Sequence, residues 1–211
     1  MSQFIKLSLL LLVFIGGTAH TTISYEQFVV FEDNFDDNHN NWVLTTHYSS
    51  GTIKNGHMEL SSSGDHSDIR MQNLETVNDE NDFEIEASIK IKGASTFCNA
   101  LVWGTSSIGG YFEEGYSFGF NSEQRFIALD VKNWIAEDII DWEYSDVLAT
   151  DDFNKIVIRK KGDLHLFYIN DIQVKALPAK SFDGQNFGFH VANGATIQVD
   201  YFKVSIFIPR S

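Results

Sequence analysis

The chain has 211 residues, with 15 Lys and Arg against 29 Asp and Glu, and its formal net charge is -14. It contains one Cys, 2 Pro and 15 Gly, and 43% of its residues are hydrophobic. This composition excludes collagen-like, disulfide-rich and low-complexity chains, and the acidity argues against nucleic acid or an anionic membrane surface as a partner.

The amino-terminal segment has the order of a secretory signal peptide. Lys6 precedes the apolar run Leu7–Ile15, and small residues follow up to Ala19. The run is shorter than the roughly 20 apolar residues that span a bilayer. We therefore predict cleavage after Ala19 and no membrane anchor. The remaining 192 residues carry a formal charge of -15, and we expect a secreted protein, periplasmic or extracellular.

After the signal peptide (residues 1–19) and an N-terminal extension (residues 20–27), we predict a single domain over residues 28–211. No Pro- or Ser-rich linker and no internal repeat divides this part of the chain. Its length is within the range of single all-β domains. Cys98 lies in the apolar stretch Phe97–Trp103 and has no partner in the chain, which favours a buried structural thiol.

Strand-like patterns run through the whole mature chain. The clearest is Asp82–Lys92, where apolar and polar residues alternate and indicate one buried and one polar face. In chain order, the predicted strands are Phe28–Phe35, His57–Ser61, Ile69–Leu74, Asp82–Lys92, Asn99–Gly104, Tyr116–Asn121, Phe126–Lys132, Ile156–Arg159, Leu164–Ile169, Ile172–Leu177, Phe187–Val191 and Ile197–Ile208. Short strands separated by turns predict an all-β sandwich or barrel.

One segment, Trp134–Leu148, permits two interpretations. Ile135, Ile139 and Trp142 have the spacing of a helix face, whereas Ile140, Trp142 and Tyr144 alternate with polar residues as in a strand. We favour the strand because aromatic and β-branched residues dominate the second half of the segment.

Several short motifs, taken in order, resemble the concanavalin A-like lectin/glucanase superfamily over about residues 28–208. They are Phe31–Asn38 followed by Trp42, Asn55–Leu60, Asp82–Ala87, Phe153–Ile158, Leu166–Asp171, Phe187–Phe189 and Val199–Val204. The resemblance implies a two-sheet antiparallel jelly roll with one concave and one convex face. Plant lectins, laminin G-like modules, family 16 glycoside hydrolases and 3-keto-disaccharide hydrolases belong to this family, so the fold leaves the activity open.

The strongest catalytic candidates are Glu84 and Glu86, which lie on one face of a predicted strand about 7 Å apart. Retaining glycosidases need two carboxyl groups roughly 5 to 5.5 Å apart. The resemblance implies a further acid two positions later, as family 16 hydrolases carry it, but Ser88 stands there. The incomplete triplet favours a non-catalytic role, in which these acids form the polar face of the strand.

Aromatic side chains supply the other candidate site. A sugar ring stacks its apolar face on Trp or Tyr, while neighbouring polar groups bind its hydroxyls. Trp103, Tyr116, Trp134 and Trp142 fall in the middle third of the chain. Arg70 and His190 are the candidate polar contacts if their strands share the concave sheet. The alternative is that these aromatics, like Trp42, belong to the core.

Calcium is the one cofactor that the sequence leaves open. The resemblance implies termini tied by a calcium ion, and the candidate oxygen ligands are Asp33, Asp36 or Asp37 together with Asp200. The sequence contains no EF-hand spacing, phosphate loop, dinucleotide fingerprint or nucleophile elbow.

Three functions compete at this point. The first, which we favour, is a secreted non-catalytic carbohydrate-binding module that holds a glycan or polysaccharide on the concave sheet. The second is a glycoside-active hydrolase that uses Glu84 and Glu86 as acids. The third is an adhesion module that binds a protein partner, as laminin G-like domains do.

Overall fold

The computed structural model of the protein describes residues 24–108 and 111–210, where the regular structure is β-strand throughout. No helix in these residues is long and apolar enough to cross a membrane. The predicted signal peptide, residues 1–19, lies outside the described residues. The strands are β1 (Tyr25–Asp33), β2 (Ser49–Lys54), β3 (His57–Ser62), β4 (Asp68–Asn73), β5 (Asp82–Lys92), β6 (Asn99–Ile108), β7 (Tyr111–Phe120), β8 (Arg125–Lys132), β9 (Ile135–Tyr144), β10 (Asn154–Lys161), β11 (Leu164–Ile169), β12 (Ile172–Pro178), β13 (Asn186–Val191) and β14 (Thr196–Pro209).

The strands form two antiparallel sheets packed as a sandwich. One sheet has the order β12-β11-β10-β5-β14-β3-β2, with β1 also paired to β14. The other has the order β4-β13-β6-β7-β8-β9. The long strand β14 pairs with β3 through its first residues and with β1 through Phe202–Pro209, so the first and last strands lie side by side. The predicted all-β, two-sheet architecture is confirmed.

The core between the sheets is rich in aromatic side chains. Trp42 lies near the chain termini and packs on Phe31, Phe35, Phe189 and Phe202, with ring centroids 5.7 to 6.2 Å apart. Trp42 is therefore a core anchor, as predicted. Burying several large rings removes much apolar surface from water, which stabilises a domain that has no disulfide in its described part.

The predicted strands agree with the structure in most places. β5 and β11 have the predicted bounds, and the ambiguous segment is the strand β9. β1 begins at Tyr25, three residues before the predicted domain start. β2 was not predicted, because Ser49–Lys54 is a polar edge strand without an apolar alternation.

Candidate functional site

Two neighbouring pockets share lining residues from β7 and from the segment that follows β12. The polar pocket, about 580 Å³ in volume, is lined by parts of β6, β7, β8 and the β12–β13 loop. The apolar pocket, about 240 Å³, lies between β7, β9, β11 and β12. Tyr116 and Lys180 line both pockets, so they stand at the junction between them.

The β12–β13 loop (residues 179–185) forms one wall of the polar pocket. It is held by Phe182, whose ring packs edge-to-face against Phe83 and Phe187 in the core. The Tyr116 hydroxyl donates a hydrogen bond of 2.9 Å to the Ser181 carbonyl. An apolar anchor and a polar tether together fix this wall relative to the six-stranded sheet.

Asp130 places a buried carboxylate at the base of the polar pocket. Along β8 it continues the inward-facing positions of Phe126 and Ala128, so its side chain is directed away from bulk water. Its Oδ2 atom lies 2.8 Å from Lys180 Nζ and 3.3 Å from Lys132 Nζ. A buried charge needs such partners, and the two ammonium groups in turn are drawn to the pocket.

Tyr116, like Phe182, both lines the polar pocket and belongs to the core. Its ring stacks on Trp103, with centroids 5.4 Å apart. Burial, together with the negative charge of Asp130, raises the pKa of Tyr116 to about 12. The phenol therefore stays protonated at neutral pH and acts as a hydrogen-bond donor.

The polar pocket contains donors and acceptors in similar number. Glu114, Asp130 and Asp183 supply carboxylates, and Lys132 and Lys180 supply ammonium groups. Such a mixture can bind several hydroxyl groups at once, because each hydroxyl both donates and accepts.

Trp134 follows the pocket residue Lys132 by two positions and has an unusual backbone conformation. It is the second residue of the two-residue β8–β9 turn, with φ of 70° after 49° at Asn133. Both values are those of a type I′ turn, whose second position favours Gly. The corresponding position is Gly56 in the β2–β3 hairpin and Asp171 in the β11–β12 hairpin.

A Trp at this position is costly and exposed. The left-handed conformation disfavours a residue with a Cβ atom by roughly 1–2 kcal/mol, and 53% of the Trp134 surface is open to solvent. Its backbone N–H donates to the Glu113 carbonyl at 3.2 Å, next to the pocket residue Glu114. Strain of this kind is often kept where a side chain has a function.

No protein-family model matches the chain, and no similar sequence is found among curated proteins. Several solved structures are similar. The carbohydrate-binding module CBM66 from Bacillus subtilis is 17% identical, with a TM-score of 0.52, over 76% of this chain and 94% of that chain. A β-glucanase from Bacillus licheniformis is 11% identical, with a TM-score of 0.60, over 85% and 98%. The exoplasmic/lumenal domain of VIP36, bound to Ca²⁺ and Man3GlcNAc, is 9% identical, with a TM-score of 0.55, over 81% and 85%.

The chain has the concanavalin A-like jelly-roll fold. Neighbours with this fold include both binding modules and hydrolases, and the identities are low. The similarity therefore shows the fold alone, and the function must be argued from the residues of the site.

The structure does not form the predicted row of aromatics on one face of the jelly roll. Trp103 faces the interior and is 0% exposed, so its selection as a sugar contact was wrong. Trp134 and the half-buried Trp142 lie at opposite ends of β9, about 26 Å apart along an extended strand. Of the four predicted aromatics, only Tyr116 lines the polar pocket, and Trp134 lies in the turn that follows the lining residue Lys132.

The predicted polar contacts also lie elsewhere in the jelly roll. Arg70 pairs in register with the core residue Phe189 and therefore faces inward, where its guanidinium binds Asp68. This burial corrects the prediction that Arg70 contacts a ligand. His190 is half-buried, and its Nδ1 lies 3.0 Å from the Cys98 carbonyl. Burial lowers the pKa of His190, so its imidazole is neutral at pH 7. Neither side chain lines the polar or the apolar pocket.

Glu84 and Glu86 form ion pairs with basic residues on the outer face of the eight-stranded sheet. Arg159 binds Glu84, and Lys155 and Lys203 bind Glu86 at 3.1 and 3.2 Å. Burial by itself would raise the pKa of Glu86, but hydrogen bonds, the largest from Tyr201, outweigh burial and lower it.

An acid held ionised in this way is a poor proton donor. Both carboxylates lie outside the two pockets. The geometry therefore does not support a hydrolase that uses Glu84 and Glu86 as acids. The polar face predicted for β5 is covered by these ion pairs instead of being solvated.

The predicted calcium ligands have other partners in the structure. The Asp33 carboxylate accepts hydrogen bonds from Trp42 Nε1 and Asn40 Nδ2, each at 2.8 Å. Asp37 binds His39, and Asp200 lies 3.3 Å from His57. Within residues 24–108 and 111–210, no three His, Cys, Asp or Glu side chains form a group that could hold a metal. Calcium binding by Asp33, Asp36, Asp37 and Asp200 stays a prediction.

Sequence reasoning missed Asp130 and Lys180. Asp130 could have been identified from the sequence, because it occupies an alternate position of β8 that continues the buried apolar residues of this strand. Lys180 could not, because it belongs to a loop whose position depends on the packing of Phe182.

Proposed function

We propose that this domain binds a carbohydrate in the polar pocket, with Trp134 as a stacking surface at its edge. The observation that carries the proposal is Trp134 itself. An exposed indole occupies a turn position that favours Gly, two residues after Lys132, which lines a pocket rich in hydrogen-bonding groups. Strained positions are often kept where a side chain has a function, and an exposed indole offers a face on which a sugar ring can stack.

The pocket has the size and chemistry that a saccharide needs. A volume of about 580 Å³ lies within the usual range of small-ligand sites. Carboxylates and ammonium groups bind hydroxyls, and an indole face packs against the C–H groups of a sugar ring.

We propose that binding is not accompanied by hydrolysis. A glycosidase needs one carboxyl group that can give up a proton and another on the opposite side of the bond. Asp130, the buried acid of the pocket, is bound to Lys180 and Lys132 through Oδ2. Its role is better explained as the anchor of these two lysines. Export remains a prediction from the N-terminal segment.

The test is a glycan array followed by titration calorimetry on the best glycan, with wild-type protein and three variants. Trp134→Ala is expected to weaken binding about tenfold or more, since Trp contacts often dominate binding energy. Trp142→Ala, at the other end of β9, is the matched control and should bind normally. A second variant, Trp134→Gly, suits the turn conformation and guards against misfolding.

Two results would overturn the proposal. One is the absence of binding to any glycan on the array. The other is a glycan whose affinity falls with Trp142→Ala and is unchanged with both Trp134 variants, because the site would then lie at the opposite end of β9. Release of reducing sugar on incubation would refute the non-catalytic part alone.

A further inference from the structure

The apolar pocket adjoins the polar pocket but has a different character. Apart from the shared Lys180 and Tyr116, its lining is Ile139, His165, Phe167, Leu177 and Pro178. Ile139 and Leu177 come from the edge strands of opposite sheets and are only partly buried. The pocket is thus a gap between the two sheets that the protein's own side chains leave unfilled.

The volume of this gap is sufficient for part of a ligand. It measures about 240 Å³, whereas an apolar cavity of about 150 Å³ in another protein stays dry and binds benzene. Because the pocket is open to solvent, a ligand group that enters it would displace water from apolar side chains and gain packing contacts with them.

The polar groups at the edge of the apolar pocket do not require a charged ligand. Burial lowers the pKa of His165 to about 4, so its ring is neutral at pH 7. Lys180 is already bound to Asp130, and the Tyr116 hydroxyl is bound to the Ser181 carbonyl. The interior of the pocket therefore suits an uncharged, apolar group.

We propose that the carbohydrate ligand carries an apolar substituent, an aryl or short alkyl group, that enters the apolar pocket while the sugar occupies the polar pocket. This inference rests on the proposed function, because it assigns the sugar to the same polar pocket. Tyr116 and Lys180 then flank the bond that joins the sugar to its substituent. The ligand class is a glycoside with an apolar aglycone, as opposed to a long unsubstituted polysaccharide.

The experiment compares methyl and 4-nitrophenyl glycosides that are matched in sugar and anomer, by titration calorimetry on the full chain. Burial of the aryl ring is expected to give the 4-nitrophenyl glycosides at least about tenfold higher affinity than their methyl counterparts. Ile139→Phe should fill the pocket and remove this preference, while methyl glycosides bind as before. Leu177→Phe, from the opposite sheet, is the second variant if Ile139→Phe folds poorly.

The control is Ile135→Phe, the same change on the same strand at a residue that is 66% exposed and lies outside the pocket. It should keep the aryl preference. Equal affinity for methyl and 4-nitrophenyl glycosides in the wild-type protein would overturn this inference and leave the proposed function standing. Failure of every glycoside to bind would overturn the proposed function, and this inference with it, even if free 4-nitrophenol binds.

Discussion

Arg70 and Asp68 form a buried ion pair whose disruption should be severe. Their side chains are 1% and 9% exposed, and Nη1 of Arg70 lies 3.1 Å from Oδ2 of Asp68. Burial by itself would raise the pKa of Asp68, but hydrogen bonds from Thr46, Ser49 and Arg70 outweigh it and lower the pKa. Asp68 is therefore ionised at neutral pH. Asp68→Asn removes its charge and keeps its shape.

The expected loss of stability is about 3–5 kcal/mol, the usual result of leaving one charge of a buried pair without its partner. That is a large share of the roughly 5–15 kcal/mol that holds a typical domain folded. Arg70 would keep its hydrogen bonds to the Ile69 carbonyl and Ser49, but these neutral acceptors do not balance its charge. Adding Arg70→Met to Asp68→Asn should recover part of the loss, because no unpaired charge then remains buried.

Urea unfolding followed by tryptophan fluorescence measures these changes as shifts of the midpoint at constant slope. The matched control is Glu59→Gln, which removes the acid from the ion pair of Glu59 with Lys92. The side chains of Glu59 and Lys92 are 36% and 46% exposed. An exposed pair of this kind is worth less than about 1 kcal/mol. If Asp68→Asn lowers the free energy of unfolding no more than Glu59→Gln does, the reasoning about the buried ion pair of Arg70 is refuted. Arg70 would then again be a candidate for ligand contact.

Three further predictions concern the buried polar groups and the sheet packing. Burial lowers the pKa of His165 from 6.5 to about 4. As the pH falls, the imidazole of His165 is therefore protonated in the unfolded chain at a higher pH than in the folded protein. The free energy of unfolding should therefore drop by about 3 kcal/mol between pH 6.5 and 4, and His165→Phe should flatten this part of the curve; an unchanged slope would contradict the assignment. Glu86→Gln should lower the midpoint of urea unfolding and leave glycan binding intact, and lost binding with normal stability would restore Glu86 as a site residue. Gly188→Ala places a Cβ atom 1.9 Å from the Arg70 carbonyl oxygen and should cost about 1–3 kcal/mol, whereas Gly64→Ala, with nothing within 4 Å, should be close to neutral in the same melt.

The strands were predictable because their signals are local. Alternation of apolar and polar residues in Asp82–Lys92 reflects the twofold period of a strand, and the structure places β5 at these residues. The turn at Asn170-Asp171 was equally local, since both residues tolerate positive φ. The Asn133-Trp134 turn escaped notice because Trp is not a turn residue.

The candidate site was less predictable, because it depends on how distant segments pack. Trp103 and Trp134 are the same residue type, and each is next to a β-branched apolar residue, yet one is buried and the other exposed. The alternation of side chains along β6 directs Trp103 inward. The sequence does not say which set of alternate residues faces the core, because both neighbours of Trp103 are small or apolar. Arg70 is a similar case, since a charged residue in an inward position becomes credible only once Asp68 and Ser49 are seen beside it.

By itself, the sequence determined the fold class, most of the strand positions and the absence of a phosphate or nucleotide motif, since each depends on residues close together in the chain. The acid excess noted at the outset did not reveal the site. Only the tertiary structure decided that Asp130 lies against Lys180, fifty positions away, and that two pockets meet at Tyr116. The physical reason is that a pocket is the space left between packed elements, and local sequence patterns do not encode that space.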